Sequence, residues 1–300
     1  MNFKHIILSC LSLTLIISCG KKKEQSKVVE VVEHTKPSLE LIWQTDSLLN
    51  TCESVIYDKI SQTIYVSNIN NGPWEKDNNG FISIINEKGD IIDLKWLEGL
   101  SAPKGMGLYN GKLYDTDIDN LVEIDIENRK VSNIYSVEDN PQLNDITVSP
   151  DGILYVSGSN SNKVHKLENG SMGVEITNPN GKRLNGLLWQ KEGLYFADFA
   201  ESIFGLVNNE DHTFKTLTTE IGKTDGIVRL ENGDFITSGW SGQIFYIYAK
   251  DWTAIKLLDT RDQSIFAADI EYIPETQMLL VPTFFHNRIM AYKVNFGNAY

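Results

Sequence analysis

The sequence predicts an all-β protein, a six-bladed β-propeller whose ring is closed by an N-terminal strand that joins the last blade. One short pattern recurs six times along the 300-residue chain. Each copy alternates apolar and polar residues and then turns at Asp, Asn or Gly, as short paired strands do. No long window shows the apolar spacing of a helix. We therefore expect residues 39–300 to form a single propeller domain.

The repeat is clearest from Leu143 to Val156, and the segments 184–196, 224–236 and 268–281 fit the same register. The second residue of each repeat serves as a marker of its position. The markers lie roughly 40 to 50 residues apart, which is the length of a blade of four short strands. In chain order the markers are Glu53, Lys104, Asn144, Asn185, Asp225 and Ala268.

The ring must also be closed. The last repeat, residues 267–294, contains only three segments suited to strands. The segment from Leu39 to Trp43, at the start of the domain, is predicted to supply the fourth. Pairing of the first strand with the last blade would hide the open edges of the sheet.

Charge and cysteine content narrow the function. The chain carries a formal net charge of −13, from 40 acidic and 27 basic side chains. A negatively charged protein is repelled by the phosphate backbone of nucleic acids, so we expect no nucleic-acid partner. Of the three cysteines, Cys10 and Cys19 lie in the leader region, and Cys52 is alone in the body of the chain. A disulfide framework is therefore excluded.

The N-terminus has the features of an export signal. Lys4 and His5 precede an apolar run, residues 6–17, that is too short to span a bilayer comfortably. The run ends in Ile-Ile-Ser-Cys19-Gly, which resembles the bacterial lipobox. We therefore expect residues 1–19 to be a lipoprotein signal peptide ending at the lipidated Cys19, with residues 20–38 as a flexible tether. The alternatives are a secretory leader cleaved elsewhere and a cytoplasmic protein with an apolar start.

This leader predicts a location and a partner. A lipid on Cys19 would anchor the protein in the bacterial cell envelope, at the outer membrane in a cell with two membranes. The membrane would then be a partner through the lipid anchor alone.

The marker residues predict a polar ring. The innermost strand of each blade lines the central channel, so one repeat position forms a ring around the axis. Glu53, Asn144, Asn185 and Asp225 would present oxygen atoms to a common centre. Such oxygens are the ligands that Ca²⁺ and Mg²⁺ prefer. A divalent cation is expected, Ca²⁺ first and Mg²⁺, Mn²⁺ or Zn²⁺ as alternatives; the other interpretation is that Asn and Asp only begin a turn.

The strings Leu-Asn144-Asp, Leu-Asn185-Gly and Thr-Asp225-Gly, with Glu53 in the first blade, resemble the gluconolactonase, regucalcin and luciferin-regenerating-enzyme family of six-bladed propellers. The similarity covers residues 40–294. It implies a catalytic divalent metal and the opening of sugar lactones or related esters and phosphoesters. On this resemblance Glu53, Asn185 and Asp225 ligate the metal, and Asn144 ligates it or holds the substrate. Asp225 is also the implied general base.

Lys104 departs from the pattern of that family. An ammonium group inside the ring would pair with Glu53 or Asp225 and act as a built-in cation, which would make a metal unnecessary. Alternatively, Lys104 sits at the rim and binds an anionic substrate. Glu53-Ser-Val also replaces the family's Glu-Gly-Pro, and Asn144-Asp-Ile replaces its Asn-Asp-Gly.

Other polar and aromatic residues are candidates for the channel mouth. Asp117 and Asp198 end the second strands of blades two and four, where they would contact substrate or simply form turns. The loop 284–288, with two Phe beside three polar residues, is either a wall of the pocket or a core pair followed by a solvated turn. Trp74 and Trp240 are equally ambiguous, because propeller cores and sugar-binding rims both use Trp.

Several common motifs are excluded. The alternating Asp residues from Asp115 lack the Gly and the closing Glu of an EF-hand. Lys182 is not followed by Ser or Thr, so no phosphate loop and no bound nucleotide are expected. Ser241 is followed two places later by Gln243 and not by the Gly that a nucleophile elbow requires there.

Two functional hypotheses remain. The first is a metal-dependent hydrolase of a small lactone, ester or phosphoester, in which Asp225 activates water or attacks directly and the substrate binds at the channel mouth. The second is a non-catalytic propeller, displayed at the envelope, that binds a small ligand or a protein partner on the same face.

Overall fold

The computed structural model describes residues 36–178 and 180–297. The expected leader, its lipidated Cys19 and the tether as far as residue 35 lie outside the described residues. Within the described ranges, no helix is both long and apolar enough to cross a membrane.

The described residues form 24 β-strands and one 3₁₀ turn, at Arg261–Gln263, and contain no α-helix. In chain order the strands are β1 (Ser38–Gln44), β2 (Cys52–Asp58), β3 (Thr63–Asn68), β4 (Gly80–Ile85), β5 (Ile91–Leu100), β6 (Pro103–Tyr109), β7 (Lys112–Asp117), β8 (Asn120–Asp125), β9 (Lys130–Ser136), β10 (Leu143–Val148), β11 (Leu154–Gly158), β12 (Lys163–Glu168), β13 (Ser171–Thr177), β14 (Leu184–Gln190), β15 (Gly193–Asp198), β16 (Ile203–Asn208), β17 (Phe214–Thr219), β18 (Thr224–Arg229), β19 (Phe235–Gly239), β20 (Gln243–Ile247), β21 (Ala254–Asp259), β22 (Glu271–Ile273), β23 (Met278–Pro282) and β24 (Ile289–Asn295).

These strands form six antiparallel sheets of four, which confirms the predicted six-bladed β-propeller. Blades 1 to 5 are β2–β5, β6–β9, β10–β13, β14–β17 and β18–β21, each in chain order from the axis outward. Blade 6 has the order β1-β24-β23-β22, so the N-terminal strand does supply its outermost strand. That strand begins at Ser38, one residue before the predicted boundary.

Apolar clusters fill the spaces between neighbouring blades. Between blades 5 and 6, Ile236 and Tyr246 pack with Leu279 and Tyr292. Between blades 6 and 1, the buried Val55 packs in the same way with residues of β23 and β24. Each apolar Å² removed from water contributes about 25 cal/mol, so these interfaces hold the blades in a ring.

The innermost strand has a β-bulge at the same place in blades 1 to 5. In blade 1, Cys52 pairs with Asn68 and Val55 pairs with Val66, so two residues of β2 oppose the single Ser67. The first of these two residues is the marker Glu53. A bulge changes the direction of a side chain relative to the regular ladder. The repeat position therefore directs one residue per blade toward the axis.

The bulge leaves one backbone N–H of the inner strand without a partner in the ladder. In three blades a hydroxyl of the second strand accepts a hydrogen bond from that N–H. The amide of Ser54 donates to Ser67 Oγ at 2.9 Å. The amides of Asp145 and Gly226 make the same bond, also at 2.9 Å, to a Ser of their own second strand. These buried bonds fix the bulge and so fix the direction of the marker side chain.

The second bulge position must be small in blades 2, 4 and 5, because neighbouring inner strands approach closely there. A Cβ on Gly186 would overlap the backbone carbonyl oxygen of Asp225. We expect Gly186→Ala to cost about 1 to 3 kcal/mol in the free energy of unfolding, because the backbone must shift. The matched Gly173→Ala, whose new Cβ would meet no atom within 4 Å, should be close to neutral. Urea unfolding checks both; equal stabilities of the two variants would contradict the close approach.

Candidate functional site

The marker residues meet at one end of the channel, as the repeat predicted. Each of the six is at most 5% exposed. All except Ala268 line a single cavity of about 190 Å³. The five that line this cavity, here called the channel ring, are Glu53, Lys104, Asn144, Asn185 and Asp225.

Three buried oxygen atoms of the channel ring have no hydrogen-bond donor among the described residues. They are Oε2 of Glu53, Oδ1 of Asn185 and Oδ1 of Asp225. The Asn185 side chain lies close enough to the Asp225 carboxyl to lower its pKa, in opposition to the effect of burial. A buried oxygen without a donor costs about 1 to 3 kcal/mol, so three of them in one cavity call for a partner with positive charge.

Lys104 does not pair with these carboxylates. Its Nζ donates to the carbonyl oxygens of Pro73 at 2.6 Å and Ala102 at 2.9 Å. It also lies 4.1 Å from the ring centre of Trp74. Among the described residues it forms no ion pair, so the alternative in which it pairs with Glu53 or Asp225 inside the ring is not what the geometry shows. Burial lowers the pKa of Lys104 to about 8, although Glu53 opposes this effect.

A second layer of carboxylates follows the ring in sequence, and sequence reasoning did not single it out. Asp145 occupies the second bulge position of blade 3, Asp269 follows the marker of blade 6 in the same way, and both line a separate cavity of about 230 Å³. Asp145 accepts the amide of Leu187 in blade 4 at 2.6 Å. Asp269 accepts the hydroxyl of Ser54 in blade 1, also at 2.6 Å. These carboxylates therefore connect neighbouring blades.

Burial raises the pKa of the two carboxyls in the channel ring and of the two that follow it in sequence. For Glu53 the largest cause is desolvation, followed by the charge of Asp225. Desolvation and the charge of Asp269 raise the pKa of Asp225 well above its usual range. Desolvation and the charge of Asp269 also raise the pKa of Asp145. Desolvation raises the pKa of Asp269 itself to about 7. A cation bound in the channel would oppose these shifts, because it stabilises the charged form of each carboxyl.

This potential predicts a pH dependence of stability. Without a divalent cation, the folded chain keeps protons on carboxyls such as Asp269 that the unfolded chain has released. Stability should therefore fall as pH rises from about 4 through about 7. In EDTA we expect the melting temperature to be several degrees higher at pH 5 than at pH 7.5, and added calcium should remove most of that difference. Equal melting temperatures at the two pH values in EDTA would contradict the buried carboxyl cluster.

Asp117 and Asp198, predicted to contact substrate, do not line the cavity. Asp117 accepts the amides of Ser101 and Ala102, at 2.9 and 2.7 Å. The fully buried Asp198 accepts the amides of Lys182 and Arg183. Both carboxylates thus hold the backbone that leads into an innermost strand, which is a positioning role.

An aromatic wall at the channel mouth was missed by the sequence reasoning as a set. Phe199, Trp240 and Phe284 occupy one repeat position, just beyond the second strand of blades 4, 5 and 6, and all three line the cavity. Trp74 and Phe285 line it as well, which places the loop 284–288 in the pocket wall. Comparison of this repeat position across the blades would have identified the wall.

Comparison of the sequence with protein-family models and with curated proteins found no match. Solved structures are similar to the chain. A gluconolactonase-family protein has 14% identity and a TM-score of 0.61 over 87% of this chain and 93% of that one. Luciferin-regenerating enzyme has 15% identity and a TM-score of 0.61 over 88% and 98%. A catalytically inactive virginiamycin B lyase from Staphylococcus aureus with quinupristin has 13% identity and a TM-score of 0.61 over 86% and 99%.

At this level of identity the comparison establishes the fold: the chain is a six-bladed β-propeller similar in structure to the gluconolactonase-family protein and to luciferin-regenerating enzyme.

Proposed function

We propose that the protein is a divalent-metal-dependent hydrolase of a small lactone, ester or phosphoester. The observation that carries the proposal is the set of three buried oxygens without donors, on Glu53, Asn185 and Asp225, in one cavity. With Asn144 they form a set of two carboxylates and two amides. The fold that the chain shares with a gluconolactonase-family protein is consistent with this activity.

The donor set suits a hard cation. Among the described residues, no group of three or more His, Cys, Asp or Glu side chains is arranged to hold a metal. A site at the channel ring therefore depends on the amide oxygens of Asn144 and Asn185 as well as on carboxylates. Oxygen ligands of this kind favour Ca²⁺ over Zn²⁺, which prefers His and Cys.

A bound divalent ion would polarise the carbonyl or phosphoryl oxygen of the substrate. The protein's own groups do the rest. Desolvation raises the pKa of Asp225, which makes its carboxylate a stronger base toward a proton of water than an exposed aspartate. Its neighbour Asn185 lies close enough to the carboxyl to oppose this rise in pKa.

Lys104 would contribute positive charge near the substrate. Two of the three N–H bonds of its ammonium are used by the carbonyls of Pro73 and Ala102, and the third is left for an anionic group. Its position away from the carboxylates leaves them free for a metal.

The second candidate is a non-catalytic propeller that binds a small ligand or a protein partner at the same mouth. The buried Lys104 favours it, because its positive charge, although not paired with Glu53, is near enough to lower the pKa of that carboxyl and would repel a cation bound in the same cavity.

Calcium titration of the purified protein separates the two candidates. For the hydrolase, calorimetry should show one site per chain, and a panel of lactones, aryl esters and phosphoesters should show turnover that EDTA abolishes. Absence of calcium binding up to millimolar concentration would overturn the hydrolase and leave the binding protein.

We also propose that the protein is anchored in the bacterial cell envelope through Cys19. The support is the lipobox-like end of the leader. Cys19→Ser should abolish lipid labelling and move the protein from the detergent phase to the aqueous phase. Cys10→Ser, nine residues earlier in the leader, is the matched control and should not change the partition. Detergent partition of Cys19→Ser equal to wild type would refute the anchor.

A further inference from the structure

The channel mouth is asymmetric. In blades 4, 5 and 6 the position beyond the second strand is Phe199, Trp240 or Phe284, whereas blades 1 and 2 have Ile69 and Ile118 there. Ring centres along the aromatic side are 6.1 Å apart for Phe199 and Trp240, and 5.4 Å apart for Trp240 and Phe284. The aromatic wall therefore lies on the blades that also carry Asn185 and Asp225.

The wall is accessible from the cavity. Phe285 is 54% exposed, and its ring centre lies 4.6 Å from that of the buried Phe284. Phe199 and Trp240 are half-buried, and Phe266 packs behind Trp240 at 4.6 Å. A cavity of about 150 Å³ holds a benzene ring. The 190 Å³ at this mouth therefore accommodates one planar ring with a short substituent.

Two cations stand beside the wall. Arg183, which lines the cavity, and Lys223, which is exposed beside it, both lie two residues before the marker of their blade. The guanidinium of Arg183 lies 5.6 Å from the ring centre of Trp74. The ammonium of Lys223 lies 5.5 Å from that of Phe199.

Neither cation has an acidic partner. In the described part of the chain no carboxylate lies within ion-pair distance of Arg183 or Lys223. Other basic side chains do form ion pairs, for example Arg229 with Glu192 at 2.7 Å. In a chain with a net charge of −13, two unpaired cations at the mouth of an acidic ring form a local anion site.

We propose that this pocket selects a carboxylate-bearing substrate with a planar apolar body, such as an aryl-substituted ester or lactone, and not a polyhydroxylated sugar lactone. The planar group packs on the wall, and its carboxylate faces Arg183 and Lys223. A sugar could stack its C–H face on the wall, but its hydroxyls would then lose hydrogen bonds to water beside Phe199, Phe284 and Phe285, which have no polar side-chain atoms to replace them. The inference rests on the proposed function in one respect, because the ester or lactone bond that reacts is taken from it.

Binding of product-like acids tests the selection without turnover. The probes are 3-phenylpropionate, its neutral amide and gluconate, measured by calorimetry both with calcium and in EDTA. We expect 3-phenylpropionate to bind at least tenfold more tightly than the amide or gluconate in both conditions. Equal or tighter binding of gluconate would overturn the proposal.

Substitutions test whether Arg183 and Phe285 form the proposed pocket. Arg183→Gln should weaken 3-phenylpropionate binding about tenfold, whereas Lys182→Gln, which removes the same charge at the exposed neighbouring position, should leave it unchanged. Phe285→Ala, at an exposed position where the fold should tolerate it, should weaken binding of the same probe severalfold. Unchanged binding in both Arg183→Gln and Phe285→Ala would refute the pocket assignment. If calcium does not bind but 3-phenylpropionate is still preferred in EDTA, the proposed hydrolase is refuted and the pocket assignment stands.

Discussion

Asp225→Asn is expected to weaken calcium binding at least 100-fold and to abolish hydrolysis. The substitution keeps the shape of the side chain but removes one of the two ring carboxylates and the proposed base. The apo protein should be as stable as wild type or more so, because a buried charge without a counter-ion is lost. Calorimetric titration and the shift of melting temperature with calcium measure the effect.

Asp115→Asn is the matched control. Asp115 is also fully buried with both oxygens lacking a donor among the described residues, and burial raises its pKa, but it does not line the cavity. Its replacement should leave calcium affinity within twofold of wild type. If Asp225→Asn and Asp115→Asn bind calcium equally well, the cation does not bind at the channel ring.

Deletion of residues 39–45 is expected to cost several kcal/mol in the free energy of unfolding, the largest stability effect that the structure predicts. The deletion removes the ladder between β1 and β24 and exposes the edge of β24. It also removes Thr45, whose backbone and side chain both hydrogen-bond to Ile289. Urea unfolding followed by tryptophan fluorescence gives the value.

Point variants in β1 keep this prediction testable if the deletion does not fold. Trp43→Ala removes a half-buried ring that packs against the cluster between blades 6 and 1, and should cost about 2 kcal/mol. Ile42→Ser changes the neighbouring side chain, which is 51% exposed, and should cost less than about 0.5 kcal/mol. Equal costs would show that β1 contributes little to closure.

The repeat made much of the fold and the channel ring predictable. Strand alternation and turn residues recur at fixed positions, so Glu53, Asn144, Asn185 and Asp225 could be assigned to one ring without coordinates. Strand β1 was predictable for a related reason, because the last repeat lacked a strand.

Features that depend on contacts between blades were not predictable in this way. The direction of Lys104 depends on the carbonyl of Pro73, which a loop of blade 1 brings to it. The roles of Asp117 and Asp198 depend on backbone amides that approach only after folding. The roles of Asp145 and Asp269 as links between blades depend on groups of the neighbouring blade, the Leu187 amide and the Ser54 hydroxyl, which come near only in the closed ring.

The closure of the ring has a consequence for the order of folding. The bond between Thr45 Oγ1 and the Ile289 amide joins residues 244 positions apart, whereas most pairs within a blade are joined by short turns. Such distant contacts carry the largest loop-closure entropy and form slowly. During synthesis at about 5 to 20 residues per second, β1 therefore waits for the last blade to emerge. Until then the nascent chain carries an unpaired strand that is exposed to other edges.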